Sequence, residues 1–381
     1  MVLPAELLSV NYAAPVREYL LENFVSIQVV TFERQIFESA EADVVLLLAD
    51  GFGSEGTDGI HIREAFAAES LVDLGPGRFW SPRHASDKWT GGLIAPTAAE
   101  PLRGLVERFH FSKLSTWGRI SLGIVTGNNS YFTLSPSEVS RLQLSPDDLL
   151  KLSPPGSSHL RELELSDEML EGLGGLGKRT FLFYPRDNWA EDASVREYIE
   201  YGAAAGFDRT YKTRTRKTWY KVPLVKTADL FLTCMNADTP RITTNQADAY
   251  HLNSVHGIYL SESLRDEGRE LLPLASLNSV TMLNAESVGR AYGGGVLKLE
   301  PREASNWMLP SPSLVSASRE ELLEIKSRVA TSLRSGRLME AVAVVDEALL
   351  VGSAGLSRSD VQGVRAEYIE VSRRRQSKKK P

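Results

Sequence analysis

The sequence predicts an α/β segment, then an irregular α+β domain, then a helical end, and three observations carry that division. Near the N-terminus, apolar residues at helical spacing (Val16, Tyr19, Leu20, Phe24) precede two strand-like runs, residues 27–32 and 44–49. From Gly75 onward the texture changes to Gly, Pro and Trp between short β-rich runs. Beyond Pro310 a helical apolar period returns at Leu322, Ile325, Val329 and Leu333. The expected units are therefore 1–74, 75–310 and 311–381.

Each element follows from local chemistry. The run 44–49 is wholly apolar, as expected of a strand buried on both faces in a sheet flanked by helices. Such a sheet needs more strands than residues 1–74 supply, so its edge is expected to await a partner. In the middle unit, Ser153-Pro-Pro-Gly-Ser-Ser and the glycines between 172 and 177 mark turns. In the last unit Ser318 and Glu321 form a capping-box pattern that opens a helix; Gly336 breaks it, a second helix runs over 338–350, and a third spans about 360–371. The ending Arg373-Arg-Arg-Gln-Ser-Lys-Lys-Lys-Pro reads as a frayed basic tail.

Composition narrows the function classes. The chain has 381 residues, 42% of them hydrophobic, enough for sizeable cores in two or three domains. Its one cysteine, Cys234, excludes an internal disulfide framework, fits a reducing cytoplasm and reads as a small buried hydrophobe. No apolar run approaches the roughly 20 residues of a bilayer helix, so no membrane partner is expected. The net charge of −6 argues against a uniformly basic coat and leaves room for a local basic patch. The six histidines are scattered without cysteine or carboxylate at ligand spacing, so no metal site is expected.

Four segments carry candidate chemistry. Gly51-Phe-Gly53-Ser-Glu-Gly56 matches the G-x-G-x-x-G pattern after a strand. It continues into Thr57-Asp-Gly59-Ile-His-Ile, which reads as a loop returning into a strand, whereas a dinucleotide site needs a helix there. Trp117-Gly-Arg-Ile-Ser-Leu-Gly-Ile-Val-Thr-Gly127-Asn128-Asn129-Ser-Tyr-Phe places two asparagines beside a glycine, where they can meet a base edge or a phosphate. Arg209-Thr-Tyr211-Lys212-Thr-Arg214-Thr-Arg216-Lys217-Thr-Trp219-Tyr220-Lys221 is a dense basic stretch in an acidic chain. If it is extended, Lys212, Arg214 and Arg216 share one face and Tyr211 and Trp219 the other, a ribbon suited to phosphates and to guanine. Leu277-Asn278 followed by Gly289-Arg290-Ala-Tyr292-Gly-Gly-Gly295 ends in glycines that either admit a phosphate or act as a hinge.

The order of these segments, together with Leu3-Pro-Ala-Glu-Leu-Leu, Ile27-Gln-Val-Val-Thr-Phe and Ile36-Phe37-Glu-Ser, resembles the C-terminal half of TaqI-like, gamma-class adenine-N6 DNA methyltransferases, and the likeness runs from Leu3 to the terminal helices. It implies that 1–74 is an α/β remnant of a Rossmann-like methyltransferase sheet and 75–310 an α+β target-recognition domain. The helical segment 311–381 follows. It implies that Phe37 stacks on the target adenine after extrusion, and that Asn128, Asn129, Arg209, Lys212, Arg214, Arg216, Lys217, Trp219, Asn278, Arg290 and Tyr292 belong to the DNA interface. In the family the S-adenosyl-L-methionine site and an Asn-Pro-Pro-Tyr tetrad precede this region. No such tetrad occurs in the 381 residues, so the cofactor site is expected on a missing or separate N-terminal half.

Double-stranded DNA is the expected partner, with two others left open: a separate chain carrying the N-terminal half and a cognate restriction endonuclease. Three functional readings compete. They are the recognition half of a restriction–modification methyltransferase, a non-catalytic DNA-binding protein or inactive fragment, and an enzyme using a nucleotide at Gly51–Gly56.

Overall fold

The computed structural model describes residues 1–37, 43–53, 55–108, 110–292 and 294–377. It consists of mixed α/β sheets with helices packed against them.

The first sheet has five strands, β1 (Val2–Pro4), β2 (Ser26–Phe32), β3 (Val44–Asp50), β4 (Ile60–Ala65) and β5 (Arg78–Trp80), in the order β1-β3-β2-β4-β5. β2 pairs antiparallel with β3 and parallel with β4. Helix Ala14–Asn23, started by a proline in its first turn, covers one face. On that side Leu20, Leu21, Ile27, Val29, Val45, Leu47, Ile60 and Trp89 form a core; on the other, Val30, Phe32 and Ala65 form a smaller one. Arg17 of the same helix is fully buried and donates to the carbonyls of Leu7, Val10, Ser86 and Asp87 at 2.8–2.9 Å. It thereby ties the opening turn to the segment that carries Trp89 into the same core.

β3 is not buried on both faces, contrary to the expectation from its apolar run. Val45 and Leu47 face the core, but Leu48 is 46% exposed. The reason is coverage: the smaller cluster on that face packs against Val44 and Leu46 but does not extend to Leu48. The sheet and its core also run on to β5 and Trp89, past the boundary expected at residue 74.

The middle of the chain carries a second five-stranded sheet, in spatial order Glu164–Leu165, Ile242–Asn245, Leu230–Thr233, Val255–Leu260 and Gly118–Leu122. Its central strand, Leu230–Thr233, is buried throughout. One face packs on helices Arg265–Ala275 and Ser279–Val288, in a large core that also takes in Leu322, Val329, Val342, Leu349, Val364 and Tyr368. The terminal helices therefore share a core with the middle of the chain. A separate aromatic cluster of Tyr131, Phe132, Phe183, Tyr198 and Trp219 lies around a three-stranded sheet formed by Thr133–Leu134, Phe181–Phe183 and Leu149–Lys151.

The helical end differs from expectation in two places. Helix Arg319–Arg334 forms, but Ser318 does not cap it: its hydroxyl donates to the Leu314 carbonyl, because a short helix Pro312–Ala317 already precedes it, capped by Ser311. The basic ending is not frayed up to Gln376. Helix Arg358–Gln376 continues through it, and Arg375, 5% exposed, lies in the core with its guanidinium on the Glu286 carboxylate at 2.8 Å and on the Asp238 carbonyl at 2.7 Å. Charge satisfaction in a buried site outweighs fraying there. Burial pushes the Glu286 carboxyl up, and the Arg375 hydrogen bond opposes that rise.

Two expectations follow. Arg375→Ala would leave the Glu286 carboxylate buried without its partner, and removing one member of a buried pair costs on the order of 3–5 kcal/mol; urea unfolding should show that loss, and a loss under about 1 kcal/mol would contradict the arrangement. Burial also lowers His159 and His251 from the ordinary histidine value to about 4. Between pH 6.5 and about 4 the unfolded chain binds the extra protons, so stability should fall as pH falls, by about 1.4 kcal/mol per pH unit for each histidine. Urea unfolding at pH 7 and pH 5 checks the sign.

Candidate nucleic-acid interface

The sequence-predicted residues fall into three places. The first is the carboxyl end of β2, where Phe37 is 46% exposed and the Gln35 amide donates to its carbonyl at 3.1 Å. Phe32, Arg34, Gln35, Ile36, Phe37, Asp43 and Val44 surround a small hollow there. Residues 38–42, which include the rest of the Phe37 motif, lie outside the described residues.

The second is the basic stretch. It is not an extended ribbon: Tyr211–Arg214 is a helical turn. The Thr213 hydroxyl donates to the Phe207 carbonyl at 2.6 Å and lies 2.8 Å from the Thr210 hydroxyl, so local side-chain hydrogen bonds curl the backbone that strand alternation would have kept straight. The curl separates the basic residues by role. Arg216 turns inward, donating to the carbonyls of Val125, Thr126 and Trp219 at 2.7–3.3 Å with its guanidinium 5.3 Å from the Phe132 ring. Trp219 packs 5.3 Å from Tyr131 in the aromatic cluster. Arg209, Lys212, Arg214 and Lys217 stay exposed. Lys212 and Lys217 line a cleft of about 620 Å³ together with Gly123, Val125, Arg216 and Lys221. Exposed Tyr211 sits between Lys212 and Arg214, whose charges lie 5.6 and 5.5 Å from its ring.

Asn128 and Asn129 do not line this cleft; they follow, in the chain, the Val125–Thr126 backbone that Arg216 holds. Asn128 caps a short helix, its side-chain oxygen accepting from the Tyr131 amide and the Ser130 hydroxyl. Asn129 accepts from the Thr126 hydroxyl at 2.5 Å and is exposed. Both hold the turn, and only their amide NH₂ groups remain to face a ligand. Lys221, absent from the expected set, closes the cleft: its ammonium lies 3.1 Å from Asp187 and 4.6 Å from the Tyr184 ring. Its place at the end of the same basic stretch was the signal for it.

The third place holds Asn278, Arg290 and Tyr292, and only Tyr292 is presented. Asn278 is completely buried as the cap of helix Ser279–Val288, accepting from the Thr281 amide and donating to the Ala275 carbonyl. Both ends of its amide are used inside the core, which removes it from the interface. Arg290 is engaged with the buried Glu303 carboxylate at 2.5 Å. Tyr292 is 51% exposed and borders a cavity of about 340 Å³ between the first sheet and the middle of the chain, opposite Thr31, Phe32 and Glu33. Gly295 does not lie open for a phosphate: its φ is +73°, and a Cβ there would come within 2.8 Å of the Arg375 carbonyl, so it admits the C-terminal helix.

The Gly51–Gly56 loop is a linker. It joins β3 to β4, which are not neighbours in the sheet, and it returns into a strand as expected. Its amides point at a helix C-terminus, Gly53 donating to the Asn23 carbonyl and Thr57 to that of Leu21; at Gly56, φ +79°, a Cβ would sit 2.5 Å from the latter oxygen. A surface of carbonyls at the negative end of a helix repels a phosphate. Cys234 is buried, which pushes its thiol up to about 11, and His256 hydrogen-bonds the Leu299 carbonyl at 2.7 Å. Among the described residues no group of three His, Cys, Asp or Glu is placed to hold a metal, and no helix is long and apolar enough to cross a membrane.

Residues 86–350 match the family model for the C-terminal domain of Type II methyltransferase M.Eco57I. Type II methyltransferase M.AccI of Acinetobacter calcoaceticus is 23% identical over 339 residues, covering 85% of this chain and 61% of that protein. Type II methyltransferase M.XamI of Xanthomonas campestris pv. amaranthicola is 26% identical over 315 residues, covering 81% and 55%. The chain thus spans a little over half the length of these curated relatives. Among solved structures, the Type IIL restriction-modification enzyme MmeI in complex with DNA has the same fold over 97% of this chain and 49% of that one, with a TM-score of 0.50 at 13% identity. The match across most of the sequence places this chain in the M.Eco57I C-terminal-domain family of restriction–modification methyltransferases.

Proposed function

We propose that this chain is the DNA-recognition part of a site-specific adenine-N6 DNA methyltransferase of restriction–modification type. The observation that carries the reading is the cleft in which Lys212 and Lys217 stand exposed beside Val125 and Arg216, in an acidic chain of a methyltransferase family. Lys212, Lys217, Arg209 and Arg214 serve as phosphate contacts, and the backbone held by Arg216, Asn128 and Asn129 sets their register on the duplex. Phe37 stacks on the extruded adenine, replacing the stacking lost when the base leaves the helix.

The same reading takes residues 1–74, with β5, as the end of a Rossmann-like methyltransferase sheet and the region to 310 as the recognition domain, followed by the helices of 311–381. Further strands would add beside β1, which covers only part of β3. S-adenosyl-L-methionine supplies the methyl group in such enzymes, but the residues present do not fit it. The Gly51–Gly56 loop faces helix carbonyls, the same glycine pattern at Gly172–Gly177 lies at the C-terminal end of helix Asp167–Gly175 instead of opening a helix, and the Asn-Pro-Pro-Tyr tetrad is absent from the sequence. The cofactor and the tetrad belong, on this reading, to another part of the protein or a separate chain. The same absence favours a second reading, a DNA-binding protein without catalysis of its own.

Labelled methyl transfer from S-adenosyl-L-methionine to unmethylated DNA separates the two. The chain alone should be inactive, and adding a polypeptide that carries the missing half should restore transfer on the first reading and leave it absent on the second. Activity of the chain alone would refute both. In the restored enzyme Phe37→Ala should slow transfer by about ten-fold or more, the size of one lost base–aromatic stack; an unchanged rate would remove that role. Duplex binding should weaken with salt by about 0.9 in log–log slope per phosphate contact, and Lys212→Ala with Lys217→Ala should flatten the slope by nearly two contacts. A slope unchanged by both substitutions would place the phosphates elsewhere.

A further inference from the structure

β2 and β4 run parallel and end together, Phe32 opposite Ala65, so the residues just past them emerge at one edge of the sheet. In open α/β sheets that carboxyl edge is where ligands are met. There the Arg34 amide donates to the Phe66 carbonyl at 3.1 Å, and the Arg34 guanidinium lies 4.6 Å over the Phe66 ring, which is 52% exposed. Arg34 and Phe37 line the same small hollow.

Charge sets Arg34 apart from its neighbours. Arg373 is paired with Glu370 at 2.8 Å and lies 3.9 Å from Glu33, Arg374 is paired with Glu64 at 2.6 Å, and Arg375 is paired with Glu286 at 2.8 Å. The exposed Arg34 guanidinium makes no hydrogen bond or ion pair among the described residues. Its position is held by stacking on a ring, which orders the side chain and leaves its N–H edge unused. A planar guanidinium with free donors is matched to the two oxygens of a phosphodiester.

We propose that Arg34 is a phosphate contact beside the nucleotide stacked by Phe37, and that Phe66 is the residue that positions it. This rests on the DNA-recognition reading above. The ligand is the backbone phosphate flanking an unstacked base, so Arg34 acts on extruded DNA, while the Lys212–Lys217 cleft grips the duplex whether or not a base has left it.

The test compares binding of two labelled duplexes by the full chain, one fully paired and one carrying a single unpaired adenine, at one low salt concentration. The wild type should bind the second about ten-fold more tightly. Arg34→Ala and Phe66→Ala should reduce that preference several-fold, leaving only the part the Phe37 stack supplies, and keep their affinity for the paired duplex. Phe66→Tyr, which retains the ring, should restore the preference, and Arg34→Lys, which retains charge without the planar fork, should recover it only in part. A wild type with no preference, or alanine variants that keep it, would overturn the assignment while leaving the duplex cleft intact. A wild type that binds neither duplex would overturn the proposed function and this inference with it.

Discussion

The buried pairing of Arg375 with Glu286 is the constraint on which the arrangement of the molecule depends. A carboxylate this deep is tolerated only with a partner that satisfies both of its oxygens, and that partner comes from the far end of the chain. Because Arg375 must reach Glu286, helix Arg358–Gln376 has to lie across helix Ser279–Val288 and against the glycine run at 294–295. One turn of the same helix then meets the first sheet, through Arg374 on Glu64 and the Ser377 hydroxyl on the Glu33 carbonyl. At its other end Arg365 reaches Asp346, which also accepts from Ser279. A single helix thus fastens the sheet bearing Phe37 to the unit bearing the basic cleft.

That fastening matters because the proposed contacts are divided between the two. Phe37 and Arg34 stand at the carboxyl edge of the first sheet, whereas Lys212 and Lys217 stand in the cleft beside the aromatic cluster. Holding a duplex and receiving one of its bases require a fixed distance between these sites. The cavity between Thr31–Glu33 and Tyr292 lies along the join, bordered by Arg374 and Arg375 of the helix.

Across the candidate sites, support and contact are separated by burial. Arg216, Trp219, Asn278 and Arg290 are all of types found in DNA interfaces, yet each has spent its donors or its ring on the protein itself. Arg216 braces the loop carrying Asn128 and Asn129; Asn278 caps a helix; Arg290 neutralises Glu303. The residues left for a ligand are those that no backbone carbonyl or carboxylate has claimed.

Much of the fold was legible in the sequence. Helix Ala14–Asn23 lies where the period of Val16, Tyr19 and Leu20 put one, although Val16 and Tyr19 are exposed and the face it buries is Arg17, Leu20 and Leu21; alternating and apolar runs gave β2 and β3, and Gly336 marked the break between terminal helices. These are decided by neighbours in the chain, where local propensity and hydrophobic period act. The composition of the basic stretch also announced a local charge patch in an acidic protein. What only the tertiary structure decided is which of those charges remain free. The curl at Thr213 and the cap at Asn278 use hydrogen bonds to near neighbours, whereas the inward turn of Arg216 and the ordering of Arg375 come from partners distant in sequence, since a polar group buried by packing must find its hydrogen bond wherever the fold supplies one. Sequence by itself determined the elements and the inventory of chemistry; tertiary packing determined its allocation between holding the protein together and facing a ligand.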